Sequence, residues 1–550
     1  MALEPSSTVK PLISDSARLA EITRAASSDL PRAITLATAA RSDGLTSPLV
    51  HHLIGINLKD SGRIEEAVTE LGLGLELDPH NPRLMTTLGF CLLELGRRRE
   101  SAQVFGVAMK LDPQSAEASY GYGWAAERLG ALESAESGFK RAIALNPNHA
   151  DALAGLSGLA ARRWDWDTAQ TYAERAAKLD PRQTDAMMNL ARVEIGRRQF
   201  GAAAYRLSRI INLPHLNPRA RANARIMRGD ALDGAGRYDE AFAAYAEGKA
   251  ELREQFAPVY EVPGASNAVD GVREILAEFQ ASPVDAWASP PLPAESDERG
   301  HAFLLGFPRS GTTLLEQIIE THPDMVTLGE RPVMIDAEVE FLTQVGGVTR
   351  LAGVVSGLLE PFRQSYWRRV REFNVDPADK VFVDKHPLNT FRLPLIAKVF
   401  PNSKIIFAYR DPRDVVVSCF RRSFNMNASM YEFNTIEGAA RLYDAVMTAG
   451  EIYLDQLPIQ VHRVRYEDVV SNFEATGRDL CGFLGVEWTD QLKDFAATAN
   501  ARRVATPSST QVGRGLYADG AGQWRNYAFA IEPVLPVLRP WIEKFGYAAD

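Results

Sequence analysis

The sequence predicts a two-part fold: an all-α solenoid of paired helices, followed by an α/β domain built on a parallel sheet. The solenoid is indicated by a short motif, Leu-[Asp/Asn]-Pro, that recurs with a period of 34 residues. A fixed period of this length is typical of stacked helical hairpins. The α/β domain is indicated by short apolar runs, each followed by a longer helical pattern, which predict parallel strands with right-handed crossovers. The motif begins at Leu77, Leu111, Leu145 and Leu179, and the runs are HAFLLGF, KVFVD, KIIFAYR and QVHRVRY.

Composition and charge exclude several classes of protein. The 550 residues, 46% of them hydrophobic and 24% charged, are typical of a globular protein with more than one domain. A formal net charge of −9 gives no general attraction to nucleic acid or anionic lipid, so no nucleic-acid partner is expected. Three scattered cysteines are too few for a disulfide framework or a zinc site, and an odd number suits a reducing compartment.

The location of the protein is predicted from two sequence properties. The amino-terminal stretch MALEPSSTVKPLISDS lacks the basic start, apolar core and small-residue cleavage site of a secretory signal. No window reaches the roughly 18 consecutive apolar residues that a membrane span needs. We therefore expect a soluble, cytoplasmic protein without a membrane span.

Each repeat contains two positions at which a small side chain recurs. A small residue on each helix of a pair lets the two backbones touch, and a proline after the second helix ends it. The pattern resembles the tetratricopeptide repeat in six units from about Pro48 to Glu251, and a segment around Ala33 resembles a degenerate cap. The resemblance implies that the repeats bind a protein or peptide. The first position holds Gly55, Gly89, Gly123, Ser157, Ala191 and Gly229, and the second holds Ala67, Ser101, Ala135, Ala169, Ala203 and Ala241.

Changes in composition predict the boundaries of four segments. Residues 1–47 form a helical cap or degenerate repeat, and residues 48–255 form the repeats. Residues 256–299 are rich in Pro, Ser and Ala and are interpreted as a linker around one short helix, GVREILAEF. Residues 300–550 form the α/β domain.

The segment FLLGFPRSGTTLL, residues 303–315, predicts a strand, a glycine-containing turn and a helix. This arrangement directs backbone N–H groups and a helix dipole at one place, which suits an anion. The turn has the frame of a nucleotide P-loop, but Thr312 stands where the P-loop lysine would be, which argues against a kinase or NTPase.

Pro-Arg-Ser-Gly-Thr-Thr, residues 308–313, resembles the 5′-phosphosulfate loop of sulfotransferases. The resemblance implies a P-loop-like sulfotransferase domain whose donor is 3′-phosphoadenosine 5′-phosphosulfate (PAPS). The residues that it implies as donor contacts are Arg309, Ser310, Gly311, Thr312 and Thr313, with Arg309 also taking part in catalysis.

A second candidate anion site follows the run KIIFAYR. Arg410 ends this strand, and Ser418 and Arg422 share one face of the next helix, so two arginines and a hydroxyl can converge. The alternative is a solvated helix start with its own ion pairs. The order of these residues resembles the sulfotransferase 3′-phosphate motif. The same resemblance places Arg514 on that phosphate and Tyr466 beside the donor.

Sulfuryl transfer needs a base for the acceptor proton and cations for the departing phosphate. Glu330, in Thr-Leu-Gly-Glu-Arg-Pro, lies where tyrosylprotein sulfotransferases carry a catalytic glutamate, although it could instead be a helix-start carboxylate. Lys385 resembles the family lysine that contacts the bridging oxygen, and Ser509 is implied as a further catalytic residue. His386 is the rival base, because cytosolic small-molecule sulfotransferases use a histidine shortly after a lysine.

These patterns predict a PAPS-dependent sulfotransferase that needs no metal and transfers the sulfuryl group to a hydroxyl, with protein tyrosine as the natural acceptor. The repeats would recruit that acceptor or a partner protein. One alternative keeps the donor and changes the acceptor to a glycan, lipid or small molecule. Another, of a different class, is a non-enzymatic repeat scaffold with a nucleotide-binding domain.

Overall fold

The structure is a computed structural model that describes residues 14–214, 216–264, 266–289, 298–497 and 520–549. The chain divides into two compact units, residues 1–193 and 194–550. The four segment boundaries drawn from composition stay a prediction.

The first unit is built from consecutive helix pairs. In each of four pairs, the second helix ends at the leucine of the recurring tripeptide, as the period predicted. The helices are α1 (Asp15–Ala26), α2 (Leu30–Ser42), α3 (Pro48–Asp60), α4 (Ile64–Leu77), α5 (Pro82–Glu94), α6 (Arg98–Leu111), α7 (Ala116–Arg128), α8 (Leu132–Leu145), α9 (Ala150–Arg162), α10 (Trp166–Leu179) and α11 (Thr184–Gly196), whose last residues belong to the second unit.

The recurring small residues are the points of closest approach between paired helices. A Cβ added to Gly89 in α5 would lie 2.7 Å from the ring of Phe105 in α6. The buried hydroxyl of Ser101 donates to the Gly89 carbonyl at 2.7 Å. Ser157 in α9 makes the equivalent bond to the Ala169 carbonyl of α10, also at 2.7 Å. The prediction of paired, closely packed helices is therefore confirmed.

The second unit begins with the end of α11 and contains a further helix pair before the sheet. Among the described residues of the whole chain, no helix combines the length and apolarity needed to cross a membrane. The remaining helices are α12 (Phe200–Ile211), α13 (Pro218–Gly234), α14 (Tyr238–Tyr260), α15 (Ala268–Ala281), α16 (Thr312–Glu320), α17 (Ile335–Phe341), α18 (Gly347–Ala352), α19 (Glu360–Glu372), α20 (Leu393–Val399), α21 (Pro412–Arg421), α22 (Ala428–Glu432), α23 (Ile436–Gln456), α24 (Tyr466–Ser471), α25 (Phe473–Leu484), α26 (Ala528–Ile531) and α27 (Leu535–Lys544).

From α3–α4 to α13–α14, the turn inside each helix pair uses a left-handed residue. At Arg198, between α11 and α12, this residue is not glycine: its φ is 61°, and its side chain is exposed. The residues at this position of successive pairs are Gly62, Gly96, Gly130, Trp164, Arg198 and Gly236.

Replacing Arg198 by glycine is expected to raise the free energy of unfolding by about 0.5–1 kcal/mol, because the left-handed strain exceeds the extra chain entropy of glycine. Urea unfolding measures the change. Gly236→Ala is the matched control, and it is expected to lower the free energy of unfolding. Its new Cβ has no neighbour within 4 Å among the described residues, so only the backbone conformation is perturbed. A destabilised Arg198→Gly variant would contradict the expectation.

The second unit contains a five-stranded parallel sheet in the order β2-β3-β1-β4-β5, counted over the described residues. Side chains alternate between two apolar cores: Phe303 and Leu305 of β1 face one, and Ala302 and Leu304 face the other. Burial on both faces explains why β1, β3 and β4 are largely apolar, whereas the edge strand β5 is only partly buried and carries polar residues. The predicted α/β class is confirmed. The strands are β1 (Gly300–Gly306), β2 (Met325–Leu328), β3 (Val381–Lys385), β4 (Lys404–Tyr409) and β5 (Gln460–Arg465).

Helix α15, which contains the sequence GVREILAEF, packs into the core of the α/β part. Val269, Val272 and Phe279 are buried there. The Glu278 carboxylate accepts the backbone N–H of Gly346 at 2.7 Å and binds the start of α18. The helix therefore contributes buried surface to the second unit rather than only joining two segments.

Candidate functional site

The candidate site lies at the carboxyl ends of the central strands, where ligands of open α/β sheets bind. β1 ends at Gly306, whose φ is 152° and whose added Cβ would lie 2.2 Å from the Ala408 carbonyl oxygen of β4. Only glycine allows this approach. The hydroxyl of Thr390 donates to the Gly306 carbonyl at 2.5 Å and holds the start of the loop.

The loop after β1 leads directly into α16 through Gly311, the residue before the helix. Ser310, Thr312 and Thr313 are buried, and Arg309 adopts a left-handed φ of 72°. The N–H groups of the first turn and the positive dipole end of α16 favour an anion at this place. The structure thus brings together the loop residues that the sequence singled out.

Arginine side chains crowd around this loop. Arg309 donates from Nε to Ser418 Oγ at 2.8 Å, and Arg410 donates from Nη1 to the Arg309 carbonyl at 3.2 Å. Burial, and then the charges of Arg422 and Arg410, lower the pKa of Arg309 to about 9. A bound anion would offset the repulsion between these neighbouring positive charges.

Arg410 is held by several neighbours at the end of β4. Asp414 lies 3.5 Å from its Nη2, and its guanidinium stands 4.7 Å from the centroid of the Tyr466 ring. Its buried Nε has no hydrogen-bond partner among the described residues. Arg422, one turn after Ser418, pairs with Asp230 of α13 at 3.5 Å. Arg410, Ser418 and Tyr466 therefore lie beside the loop, whereas Arg422 contacts a helix of the last repeat.

A second cluster lies beneath the same loop. Lys385, at the end of β3, is fully buried, and its Nζ lies 2.8 Å from Glu330 Oε1 and 3.0 Å from Glu316 Oε2. Glu316 is on α16 and is buried, whereas the side chain of Glu330 is 42% exposed. One ammonium is therefore shared by a buried carboxylate and an accessible one.

The pKa values of the cluster follow from burial and charge. Burial acts to lower the pKa of Lys385, but Glu316 and Glu330 outweigh it and raise the value. Burial acts to raise the pKa of Glu330, but Lys385, with a smaller effect of His386, holds it below its ordinary value. Burial raises the pKa of Glu316 despite Lys385. Lys385 is therefore charged and Glu330 ionised at neutral pH.

His386 follows Lys385 and lines the same cavity. Burial, and then the charge of Arg392, lower the pKa of His386 to about 3. Its Nδ1 is buried without a hydrogen-bond partner among the described residues. At neutral pH the imidazole is therefore uncharged and weakly basic.

A cavity of about 350 Å³ connects these groups. Arg309, Thr312 and Glu330 line one part, and the apolar side chains of Phe391 and Phe424 line another. Within the described ranges, no group of three or more His, Cys, Asp or Glu side chains is arranged to hold a metal ion. The cavity can accept an apolar or aromatic group next to a carboxylate and a buried cation.

Two predicted site residues, Ser509 and Arg514, lie outside the described residues, which break at 498–519.

Two residues of the site were missed by sequence reasoning. One is Glu316, an acidic residue within the apolar run of α16. The other is Asp414, which accepts the backbone N–H groups of Gly522 and Trp524 at 2.7 and 2.9 Å. An acidic residue on an otherwise apolar face is the signal that could have identified Glu316.

Comparison with known proteins gives matches to both parts of the chain. Residues 302–490 match the sequence model of the sulfotransferase family, and residues 91–150 match that of the tetratricopeptide repeat. Among solved structures, the type IV pilus biogenesis factor PilW aligns at 19% identity with a TM-score of 0.33, covering 37% of this chain and 93% of that chain.

The chain is also similar to curated proteins. An uncharacterized protein of Aquifex aeolicus (strain VF5) is 26% identical over 355 residues, which are 62% of this chain and 44% of that protein. Protein-tyrosine sulfotransferase 1 of Danio rerio is 24% identical over 258 residues, covering 44% of this chain and 71% of the relative. Protein-tyrosine sulfotransferase A of Caenorhabditis elegans is 25% identical over 268 residues, covering 44% and 66%. The chain thus spans less than half of the Aquifex protein and about two thirds of each animal relative.

Proposed function

Because the chain joins tetratricopeptide repeats to a domain of the sulfotransferase family, we propose that it transfers a sulfuryl group from PAPS to a tyrosine hydroxyl of a protein. One observation carries the proposal. The buried ammonium of Lys385 lies 2.8 Å from the accessible carboxylate of Glu330, in a cavity that also contains the phosphosulfate-type loop. A base for the acceptor and a cation for the leaving group therefore stand side by side.

The residues around the loop fit a donor with two phosphate groups. The N–H groups at the start of α16, with Ser310, Thr312 and Thr313, would hold the 5′-phosphosulfate. Arg410 and Ser418 would hold the 3′-phosphate, and the unpartnered Nε of Arg410 among the described residues supports this assignment. Arg422, Tyr466 and Arg514 remain proposed donor contacts. When bound, the donor supplies the sulfuryl group and leaves as 3′-phosphoadenosine 5′-phosphate.

Glu330 and Lys385 divide the chemistry of transfer. Glu330 accepts the proton of the acceptor hydroxyl as the acceptor oxygen bonds to sulfur. Lys385 and Arg309 stabilise the negative charge that develops on the phosphate oxygen as its bond to sulfur breaks. Phe391 and Phe424, which line the cavity, would limit the access of water once the acceptor is bound. Ser509 remains a proposed catalytic residue.

Glu330 is better suited than His386 to be the base. Glu330 is ionised at neutral pH and accessible from the cavity, whereas burial lowers the pKa of His386 to about 3. Both groups are therefore unprotonated at neutral pH, and the 42% exposure of the Glu330 side chain, beside the buried ammonium of Lys385, favours the carboxylate as the group that meets the acceptor.

A tyrosine acceptor is supported by two observations. The animal relatives that the chain resembles are protein-tyrosine sulfotransferases. The cavity beside Glu330 has walls of Phe391, Phe424 and Leu388, which suit an aromatic ring. We further propose that the repeats recruit the acceptor protein, since stacked helical repeats bind extended segments.

Calorimetric titration with 3′-phosphoadenosine 5′-phosphate tests the donor site. We expect the wild type to bind and Arg410→Ala to bind about 10- to 100-fold more weakly, because charged hydrogen bonds to a phosphate are lost. Arg463→Ala is the matched control, since this exposed arginine of β5 pairs with Glu451 and lies outside the site. Absence of binding by folded wild-type protein would contradict the proposed donor.

A further inference from the structure

Glu316 has a position that neither donor binding nor proton transfer explains. It projects from α16 into the protein, where its side chain is 8% exposed and its Oε2 lies 3.0 Å from Lys385 Nζ. A Cβ added to Gly329 would lie 3.1 Å from Glu316 Oε1, so the chain just before Glu330 passes close to this carboxylate. Glu316, Lys385 and Glu330 thus form one contiguous group of charges.

We propose, on the basis of the function proposed above, that Glu316 is a positioning residue that keeps Lys385 paired while Glu330 takes the acceptor's proton. It acts through Lys385 and Glu330 and does not itself touch the acceptor.

The reason is the charge balance of a buried lysine. Lys385 is fully buried, and an ammonium left without a partner in the interior is strongly destabilising. When Glu330 becomes protonated during transfer, it ceases to be an anionic partner for Lys385. Because Glu316 Oε2 lies 3.0 Å from Lys385 Nζ, the lysine keeps a second carboxylate beside it at that moment. With glutamine at position 316, protonation of Glu330 would leave the ammonium without a carboxylate.

The same geometry affects the basicity of Glu330. Among the described residues, the charged groups that act on Glu316 are Lys385, Glu330 and Glu320, and those that act on Glu330 include Lys385 and His386. Glu316 also pairs with Lys385 and thereby weakens the hold of the ammonium on Glu330. Removing the charge of Glu316 lowers the pKa of Glu330 and makes it a weaker base. It also lowers the pKa of Lys385, because one of its two anionic partners is lost.

The test compares Glu316→Gln with the wild type, using PAPS and a tyrosine-containing peptide as acceptor. We expect kcat to fall about tenfold, which corresponds to a barrier about 1.4 kcal/mol higher. The acidic limb of the pH profile of kcat/KM, set by Glu330, and its basic limb, set by Lys385, are both expected to move to lower pH. Glu316→Asp, which retains the carboxylate, is expected to restore part of the activity.

Glu320→Gln is the matched control. Glu320 is also a buried carboxylate of α16, but it accepts the backbone N–H of Thr327 at 2.6 Å and the Thr327 hydroxyl. Its loss is expected to reduce stability without moving the pH profile. If Glu316→Gln had the wild-type profile, or if Glu320→Gln moved the profile equally, the proposal would be overturned.

A double-mutant cycle separates a positioning role from a structural one. In the background of Lys385→Met, which has no ammonium for Glu316 to pair with, the Glu316→Gln change is expected to have little further effect on kcat. An equal loss in both backgrounds would show that Glu316 acts only on structure.

Failure of the proposed function gives a different result. A wild type that neither binds 3′-phosphoadenosine 5′-phosphate nor sulfates any acceptor would refute the function. The carboxylate ¹³C titration of Glu330 in glutamate-labelled protein, assigned with Glu330→Gln, tests the inference without turnover. An unchanged titration midpoint in Glu316→Gln, or in Glu316→Met if the first does not fold, would refute the inference alone.

Discussion

Replacing Glu330 by glutamine is expected to lower kcat by about 100- to 10,000-fold, the range that general acid–base catalysis contributes. Glutamine has nearly the same shape and keeps a polar contact with Lys385, but it cannot accept the acceptor's proton. The affinity for 3′-phosphoadenosine 5′-phosphate, measured by calorimetry, is expected to stay at the wild-type value. Loss of turnover with retained binding would assign Glu330 to acceptor chemistry.

The pH dependence of the wild type follows from the same residue. Lys385 holds the pKa of Glu330 below its ordinary value, so Glu330 is ionised and active above that lowered pKa. The rate is therefore expected to rise with pH only through the acidic range and to be flat near neutrality. In Glu330→Gln this acidic limb should vanish.

Glu340→Gln is the control for this experiment, because Glu340 is half-exposed and pairs with Arg350. It should leave kcat unchanged. A Glu330→Gln enzyme with wild-type kcat would contradict the proposed role, and His386→Gln would then be the variant to compare.

Replacing Asp233 by alanine is expected to lower the free energy of unfolding by about 3–5 kcal/mol, the cost of removing one partner of a buried ion pair. Asp233 of α13 lies 2.6 Å from the guanidinium of Arg421 on α21, whose side chain is 8% exposed. The same carboxylate accepts the hydroxyl of Tyr527. Arg421 also lies over the rings of Tyr245 and Tyr527, at 5.5 and 5.2 Å from their centroids.

The effect should be large because Arg421 would keep its charge in a place from which water is excluded. Burial acts to lower the pKa of Arg421, but Tyr245 and Asp233 raise it above its ordinary value. Urea unfolding followed by tryptophan fluorescence measures the loss. α21 also carries Ser418, so donor affinity should fall together with stability.

An exposed ion pair of the adjoining helix is the control. Arg237 and Glu240 lie 2.6 Å apart, with about half of each side chain exposed, and Glu240→Ala should leave the free energy of unfolding close to the wild-type value. Similar losses for Asp233→Ala and Glu240→Ala would contradict the importance of burial. The expected difference would show that α13, a helix of the last predicted repeat, stabilises the part of the chain that contains the sheet.

Local sequence signals predicted much of this protein. The period of the Leu-[Asp/Asn]-Pro motif predicted where the second helices end, because proline cannot continue a helix. The apolar runs predicted four strands, because a strand buried on both faces consists almost entirely of apolar residues. The strand β2, Met325–Leu328, was not predicted, since four residues between a helix and a loop carry too short a pattern.

Short stretches of sequence were enough to identify the elements of the candidate site: the loop that precedes α16, the arginine that ends β4, and the candidates Glu330 and Lys385. Each of these depends on residues that are neighbours in the chain. The fold was needed to show that Glu316 and Glu330 share one buried ammonium, and that Arg421 and Arg422 reach carboxylates on α13. These contacts join residues far apart in the chain, and their geometry depends on how α16 and α21 pack against the sheet and on where α13 is placed. Side-chain packing between distant segments leaves no periodic pattern in the sequence, which is the physical reason why these contacts became visible only in the folded protein.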